Sequence, residues 1–138
     1  GARLGVQAVV DRFAQIEPVV LIAVDGYLYN GREFDVQPVV DQLREYLDDG
    51  NIANSVNYPR TRMARGGGYR ITFANDNVPR VLGTVLSVLA NHNINVLDMV
   101  NRSLYDTAYN IIDVETKPTP EIVRAIAAAD GVKHVRVI

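Results

Sequence analysis

The stretch YRITFANDNVPRVLGTVLSVLANHNINV, residues 69–96, decides the fold. Tyr69 to Ala74 alternates, with Ile71 and Phe73 on one side and Arg70 and Thr72 on the other, as a strand with one apolar face does. Asn75-Asp76-Asn77-Val78-Pro79 then reads as a turn and a helix start. Val78, Val81, Leu82, Val85, Leu86 and Leu89 recur at helical spacing, and Asn91 and Asn93 stop the helix. Asn77 and Asn93 carry the residue type that caps helices and closes turns.

Downstream, the same alternation of elements continues. Ile94 to Leu104 reads as a second strand, Tyr105-Asp106-Thr107 as its turn, and Ala108 to Glu115 as the returning strand. Thr119, Pro120 and Glu121 are an N-cap, a first-turn proline and an acid near the positive end of a helix dipole. Ile122, Val123, Ile126 and Ala129 give that helix an apolar side, Asp130-Gly131 ends it, and Val132 to Ile138 is a last strand with Val135 and Val137 on one face. The order β-α-β-β-α-β predicts a ferredoxin-like α+β domain over residues 69–138, with a four-stranded antiparallel sheet and two helices on one face.

Upstream, residues 1–59 read as helix, strand, helix. Leu4, Val6, Val9, Val10, Phe13 and Ile16 have helical spacing, Val19 to Val24 is a short β-branched run, and Asp25-Gly26 and Asn30-Gly31 flank Tyr27-Leu28-Tyr29 as turns of a hairpin. Asp35 is placed to cap a helix with Pro38 in its first turn and an apolar stripe of Val39, Val40, Leu43, Tyr46 and Leu47, ended by Gly50. Asp41, Arg44, Glu45, Asp48 and Asp49 form its polar side. Residues 60–68 read as an arginine- and glycine-containing connector, with Gly66, Gly67 and Gly68 as a hinge.

Composition narrows the function classes. A 48% hydrophobic share supports a packed core, and a formal net charge of −2 gives no overall attraction to nucleic acid or anionic membrane. The absence of cysteine removes disulfides and thiolate chemistry and fits a cytoplasmic setting. The longest apolar run, Pro18 to Val24, is shorter than the roughly 20 residues of a membrane span. The N-terminus lacks the basic-then-apolar order of a signal peptide.

No catalytic constellation emerges. Neither a dinucleotide loop nor a phosphate loop has the spacing it requires. His92 reads as a solvent-facing helix end and His134 as a surface position, and neither has a metal-ligand pattern, so no metal site is expected. Arg60, Arg62, Arg65 and Arg70 around Tyr58 and Tyr69 admit two readings, a solvated connector or a nucleic-acid patch, and the net charge argues for the connector. Asn75, Asn77, Asn93 and Asn95 admit turn chemistry or a set of neutral donors and acceptors for an amino-acid ligand, with backbone N–H groups near Val78 receiving its carboxylate.

A resemblance joins these pieces. Residues 41–59, DQLREYLDDGNIANSVNYP, resemble the end of the catalytic part of bacterial D-3-phosphoglycerate dehydrogenase, where an N-S-V-N-[FY]-P segment leads through a glycine hinge into a C-terminal ACT domain. Asn77-Val78-Pro79-Arg80-Val81-Leu82 resembles that family's N-x-P-G-V-L helix start. Asn93-Ile94-Asn95-Val96 resembles its G-V-N-I strand entry. Ala108 to Glu115 resembles its G-Y-V-V-I-D-I-E strand.

The resemblance implies a regulatory ACT domain that pairs with a second copy, extends its sheet across a two-fold interface and binds L-serine there as a feedback effector in serine biosynthesis. Asn77 and Asn95 match the family's serine ligands, and Asn75 stands where the family has histidine. Arg80 stands where it has glycine, adding bulk and charge beside that site. Residues 1–35 match nothing in the family, and the dehydrogenase's catalytic residues have no counterpart here. The cofactor NAD and the substrate 3-phosphoglycerate would belong to the parent enzyme, with no cofactor in this chain. The alternatives are an ACT assembly module without ligand and a nucleic-acid-binding ferredoxin-like domain.

Overall fold

The computed structural model describes residues 37–53, 55 and 57–138. The helix, strand and hairpin expected over residues 4–29, and the cap expected at Asp35, lie outside the described residues. The described chain runs α1 (Gln37–Asp49), β1 (Tyr69–Asp76), α2 (Val81–Asn91), β2 (Val96–Leu104), β3 (Thr107–Val114), α3 (Pro120–Ala127) and β4 (Val132–Val137). The four strands form one antiparallel sheet in the order β2-β3-β1-β4. From β1 onward this is the expected ferredoxin-like β-α-β-β-α-β fold.

Two cores sit on the two faces of the sheet. On one, α2 and α3 cover Ile71 and Phe73 of β1 and Ile112 and Val114 of β3, with Val85, Leu89, Ile122 and Ile126 pointing inward. Thr119 caps α3 as expected, its hydroxyl oxygen accepting from the Ile122 N–H at 3.3 Å. The other face, which carries Arg70 and Thr72, is covered as well. Helix α1 and the chain after it lie across it, and Tyr46, Ile52, Tyr58 and Met63 pack on Ala74, Tyr109 and Ile111. The whole middle of β1, Arg70 to Asn75, is therefore buried.

Three boundaries and exposures differ from expectation. Helix α2 begins at Val81, its N-cap is Arg80, and Asn77 caps nothing: the Asn77 side chain donates to the Tyr105 carbonyl at 3.1 Å. Pro79 disfavours helical backbone at Val78, and Arg80 takes a left-handed φ of 80°, so the helical run cannot start earlier. Val78 is consequently 56% exposed and outside the apolar stripe. Of the stripe expected on α1, Tyr46 and Leu43 meet the core while Val40 and Leu47 stay outward, because the sheet touches only one side of that helix.

Candidate functional site

The C-terminus of α1 shows why it docks. The last carbonyls of a helix lack intrahelical partners and carry the negative end of its dipole. Here the sheet and connector supply the donors. Arg136 donates to the Tyr46 carbonyl at 3.2 and 3.3 Å and to Leu47 at 2.9 Å, with its guanidinium 4.2 Å from the Tyr46 ring centre. Arg65 donates to the Asp48 carbonyl, Arg70 to that of Asp49 and the Tyr109 hydroxyl to that of Gly50. Gly50 takes a φ of 72° where the helix ends, and a side chain there would strike Thr72.

Arg70 sits at the centre of this arrangement. It is 0% exposed and grips Asp113 with both arms, Nε to Oδ1 at 2.7 Å and Nη2 to Oδ2 at 2.8 Å. Its remaining N–H groups donate to the carbonyls of Asp49, Met63 and Ala64. Hydrogen bonding to Asp113 raises the guanidinium's pKa further, against the opposing effect of desolvation. Of the four arginines read as a basic stretch, this one is buried, Arg62 pairs with Glu45 at 3.0 Å, and Arg65 pairs with Asp49 at 3.2 Å. The arrangement is an anchored connector, with Arg60 left exposed beside it.

The three glycines of the connector differ. A side chain on Gly66 or Gly67 would meet nothing within 4 Å, whereas one on Gly68, which has a φ of 80°, would fall against the Val114 carbonyl oxygen. Ala64 is held on one side by Arg70 of β1 and Gly68 on the other lies against Val114 of β3, while Arg65 is bonded to the end of α1.

The asparagines fall into two groups. Asn75 is 4% exposed and faces the helix side of the sheet. It receives the Asn110 amide at 2.6 Å and donates to the Asp76 carbonyl at 2.7 Å. Asn101 on β2 donates to Asn110 in turn, so three side-chain amides run in a row from the sheet's edge to the loop before α2. Asn77 and Asn95 are exposed. Asn77 sits at the β2–β3 turn, its N–H donating to the Asp106 carbonyl at 2.8 Å. Asn95 lies beside Glu115, its amide 3.5 Å from the carboxylate. Strand β3 runs from Thr107, beside Asp76, to Val114, beside Val96. Seven residue steps at a strand's rise separate the two ends by roughly 24 Å, so one copy of the chain does not bring Asn77 and Asn95 together. The Val78 N–H donates to the Asp76 carbonyl at 2.8 Å.

A cavity of about 330 Å³ opens at the start of α2, lined among others by Asp76, Val78, Arg80, Thr84 and Asp130. His92 is exposed as the C-cap of α2, with its Nδ1 2.8 Å from the Val88 carbonyl, and His134 is also at the surface. Among the described residues no group of three or more metal-ligating side chains occurs, and no helix is long and apolar enough to cross a membrane.

The chain is 24% identical over 102 residues to D-3-phosphoglycerate dehydrogenase of Escherichia coli K12, a match covering 72% of the chain and 25% of the enzyme. It is 30% identical over 89 residues to D-3-phosphoglycerate dehydrogenase 1 of Saccharomyces cerevisiae, covering 61% of the chain and 19% of the enzyme. The chain is similar to the regulatory part of D-3-phosphoglycerate dehydrogenase. Its sheet order and helix placement fit the ferredoxin-like fold of an ACT domain. The matched stretch spans about a quarter or less of these relatives' length. Among solved structures, the ACT domain of the GTP pyrophosphokinase of Chlorobium tepidum superposes with a TM-score of 0.45 at 12% identity, over 51% of this chain and 95% of that one. No family model matches the chain.

Proposed function

We propose that this regulatory ACT domain pairs with a second copy and binds a small amino acid, L-serine, at the interface between them, as a feedback sensor for an NAD-dependent 3-phosphoglycerate dehydrogenase. The observation that carries the reading is the placement of Asn77 and Asn95 at opposite ends of the edge strand β2. Two such edges pairing antiparallel set the Asn95 end of one copy against the Asn77 end of the other, which makes two equivalent sites. Asn77 and Asn95 supply neutral donors and acceptors to a zwitterion. Val78 N–H receives the carboxylate after giving up its bond to Asp76. Asn75, buried and bonded to Asp76, holds the loop. Binding favours one arrangement of the pair, the glycine connector passes that preference to an attached catalytic part, and coupling of this kind is about 1–3 kcal/mol.

Arg80 favours a second reading. Its long cationic side chain stands at the mouth of the loop where the family pattern has glycine, and it supports an assembly module that pairs without ligand. Calorimetric titration with L-serine, against glycine and D-serine, separates the two. Saturable heat from L-serine that is lost in Asn77→Ala and Asn95→Ala supports the sensor. No heat and no competition at millimolar ligand leaves the assembly module.

A further inference from the structure

The row of side-chain amides on the helix side of the sheet has a direction. Asn101 donates to the Asn110 oxygen, Asn110 to the Asn75 oxygen at 2.6 Å, and Asn75 to the Asp76 carbonyl at 2.7 Å. The Asn110 amide nitrogen also lies 3.4 Å from the Phe73 carbonyl. A carbonyl only accepts, so the Asp76 and Phe73 oxygens fix which way the Asn75 and Asn110 amides face. Both asparagines are buried on a face whose other members, Ile71, Phe73 and Ile112, are apolar. Apolar side chains of similar shape in place of such a bonded pair leave stability nearly unchanged, so the fold alone does not call for these amides. Both positions also differ from the family pattern, which has histidine at 75 and valine at 110. The row ends on the loop before α2. Its last acceptor, the Asp76 carbonyl, also receives the Val78 N–H at 2.8 Å. Asn77 is tied from the other side, its N–H bonded to the Asp106 carbonyl and its side chain to that of Tyr105.

We infer that Asn110 is a positioning residue for the effector site: through Asn75 it fixes the Asp76 carbonyl, and so pre-arranges Asn77 and the Val78 N–H for the ligand. The inference rests on the effector reading above and adds to it a residue that touches no ligand. Asn75 is committed at both ends, its oxygen to Asn110 and its amide to Asp76. It therefore serves the site from behind, by holding the loop, and does not itself contact the effector. Without Asn110 the Asn75 oxygen loses its donor, and the direction of the Asn75 amide toward Asp76 is no longer imposed. The loop then has more than one arrangement to choose from. A loop already held in its binding shape spares the ligand the cost of ordering it, so the row acts on affinity without adding a contact.

A double-mutant cycle on the full chain tests this, read by calorimetry with L-serine and by backbone amide relaxation in NMR. Asn110→Val sets an apolar side chain among apolar neighbours, Asn75→Ala removes the amide that Asn110 holds, and urea unfolding verifies that each variant is folded. Each should weaken L-serine binding by about fivefold or more. The double variant should lose no more than Asn75→Ala alone, because Asn110 acts through Asn75. Both single variants should lower the order parameters of Asp76, Asn77 and Val78 and leave those of Ile71 and Ile112 unchanged. Losses in binding that multiply in the double variant would make the two asparagines independent and overturn the inference. So would an Asn110→Val chain with native loop order or native affinity. A native chain that gives no heat with L-serine overturns the effector reading instead. The fixed loop then stands if the relaxation contrast persists, and falls with that reading if it does not.

Discussion

Arg70 and Asp113 face each other across β1 and β3 and close two hydrogen bonds, 2.7 and 2.8 Å long, at a point where both side chains are buried. The same guanidinium takes the carbonyls of Asp49, Met63 and Ala64, so one side chain ties the sheet to the helix and connector that cover it. Removing it strands a buried carboxylate and three carbonyls. Arg70→Met is expected to destabilise the chain by about 3–5 kcal/mol, the loss found when one partner of a buried pair is removed. Arg70→Lys keeps the charge but loses the planar fork and two of five donors, and should still cost about 2–3 kcal/mol. Urea unfolding measures both, and a loss below about 1 kcal/mol for Arg70→Met would show that the anchor is dispensable.

The connector glycines should separate cleanly. Gly68→Ala forces a side chain into left-handed backbone and against the Val114 carbonyl, which should cost more than about 1 kcal/mol. Gly66→Ala and Gly67→Ala meet open space and should change stability by less than about 0.5 kcal/mol. Equal losses at all three would mean that these residues rearrange together rather than turning at one fixed point.

Two tyrosines should govern the alkaline limit of the fold. Burial raises the pKa of Tyr109, which donates to the Gly50 carbonyl at 2.6 Å. Burial also raises that of Tyr46, against the pull of Arg136. A phenol whose folded pKa lies above its unfolded value supports the fold fully below the unfolded value, about pH 10, and loses that support as pH climbs through the folded value. The melting temperature should therefore fall steeply above about pH 10. Of the chain's seven tyrosines, these two should ionise only with unfolding, as a late step in absorbance near the phenolate band. A single smooth titration of all seven below the unfolding transition would contradict this.

The β-α-β-β-α-β order was legible because its signals are local. Ile71 and Phe73 alternate, Thr119 and Pro120 open a helix, and Gly131 turns the chain into the last strand, although the helix itself already ends at Ala127. Arg70 was legible as a strand residue and illegible as a buried one: a polar residue alternating with apolar ones ordinarily faces water, and its partner Asp113 is 43 positions away. Asn75 hid in the same manner, since a loop-side asparagine is bland until Asn110, 35 positions on, is placed beside it. The site was half legible. Asn77 and Asn95 were picked out through a resemblance, but their separation by the length of β3 follows only from the register.

Arg80 joins the fold to the proposed site, and its replacement tests both. It occupies left-handed backbone at the N-cap of α2, with a φ of 80° and a ψ of −20°, and its side chain makes no capping bond. Left-handed backbone costs a residue with a Cβ about 1–2 kcal/mol. Glycine escapes that cost and gives back about 0.5–1 kcal/mol through its freer unfolded chain. Arg80→Gly should thus raise stability by about 0.5–1 kcal/mol, the reverse of what removing a long side chain ordinarily does. If the arginine obstructs the amino-acid site, the same change should tighten L-serine binding in calorimetry or reveal it where the native chain shows none. Greater stability with unchanged silence toward L-serine would assign Arg80 a purely conformational role and favour the assembly module. Lower stability would mean that the guanidinium makes a contact worth more than the backbone strain, and the start of α2 would have to be explained by that contact.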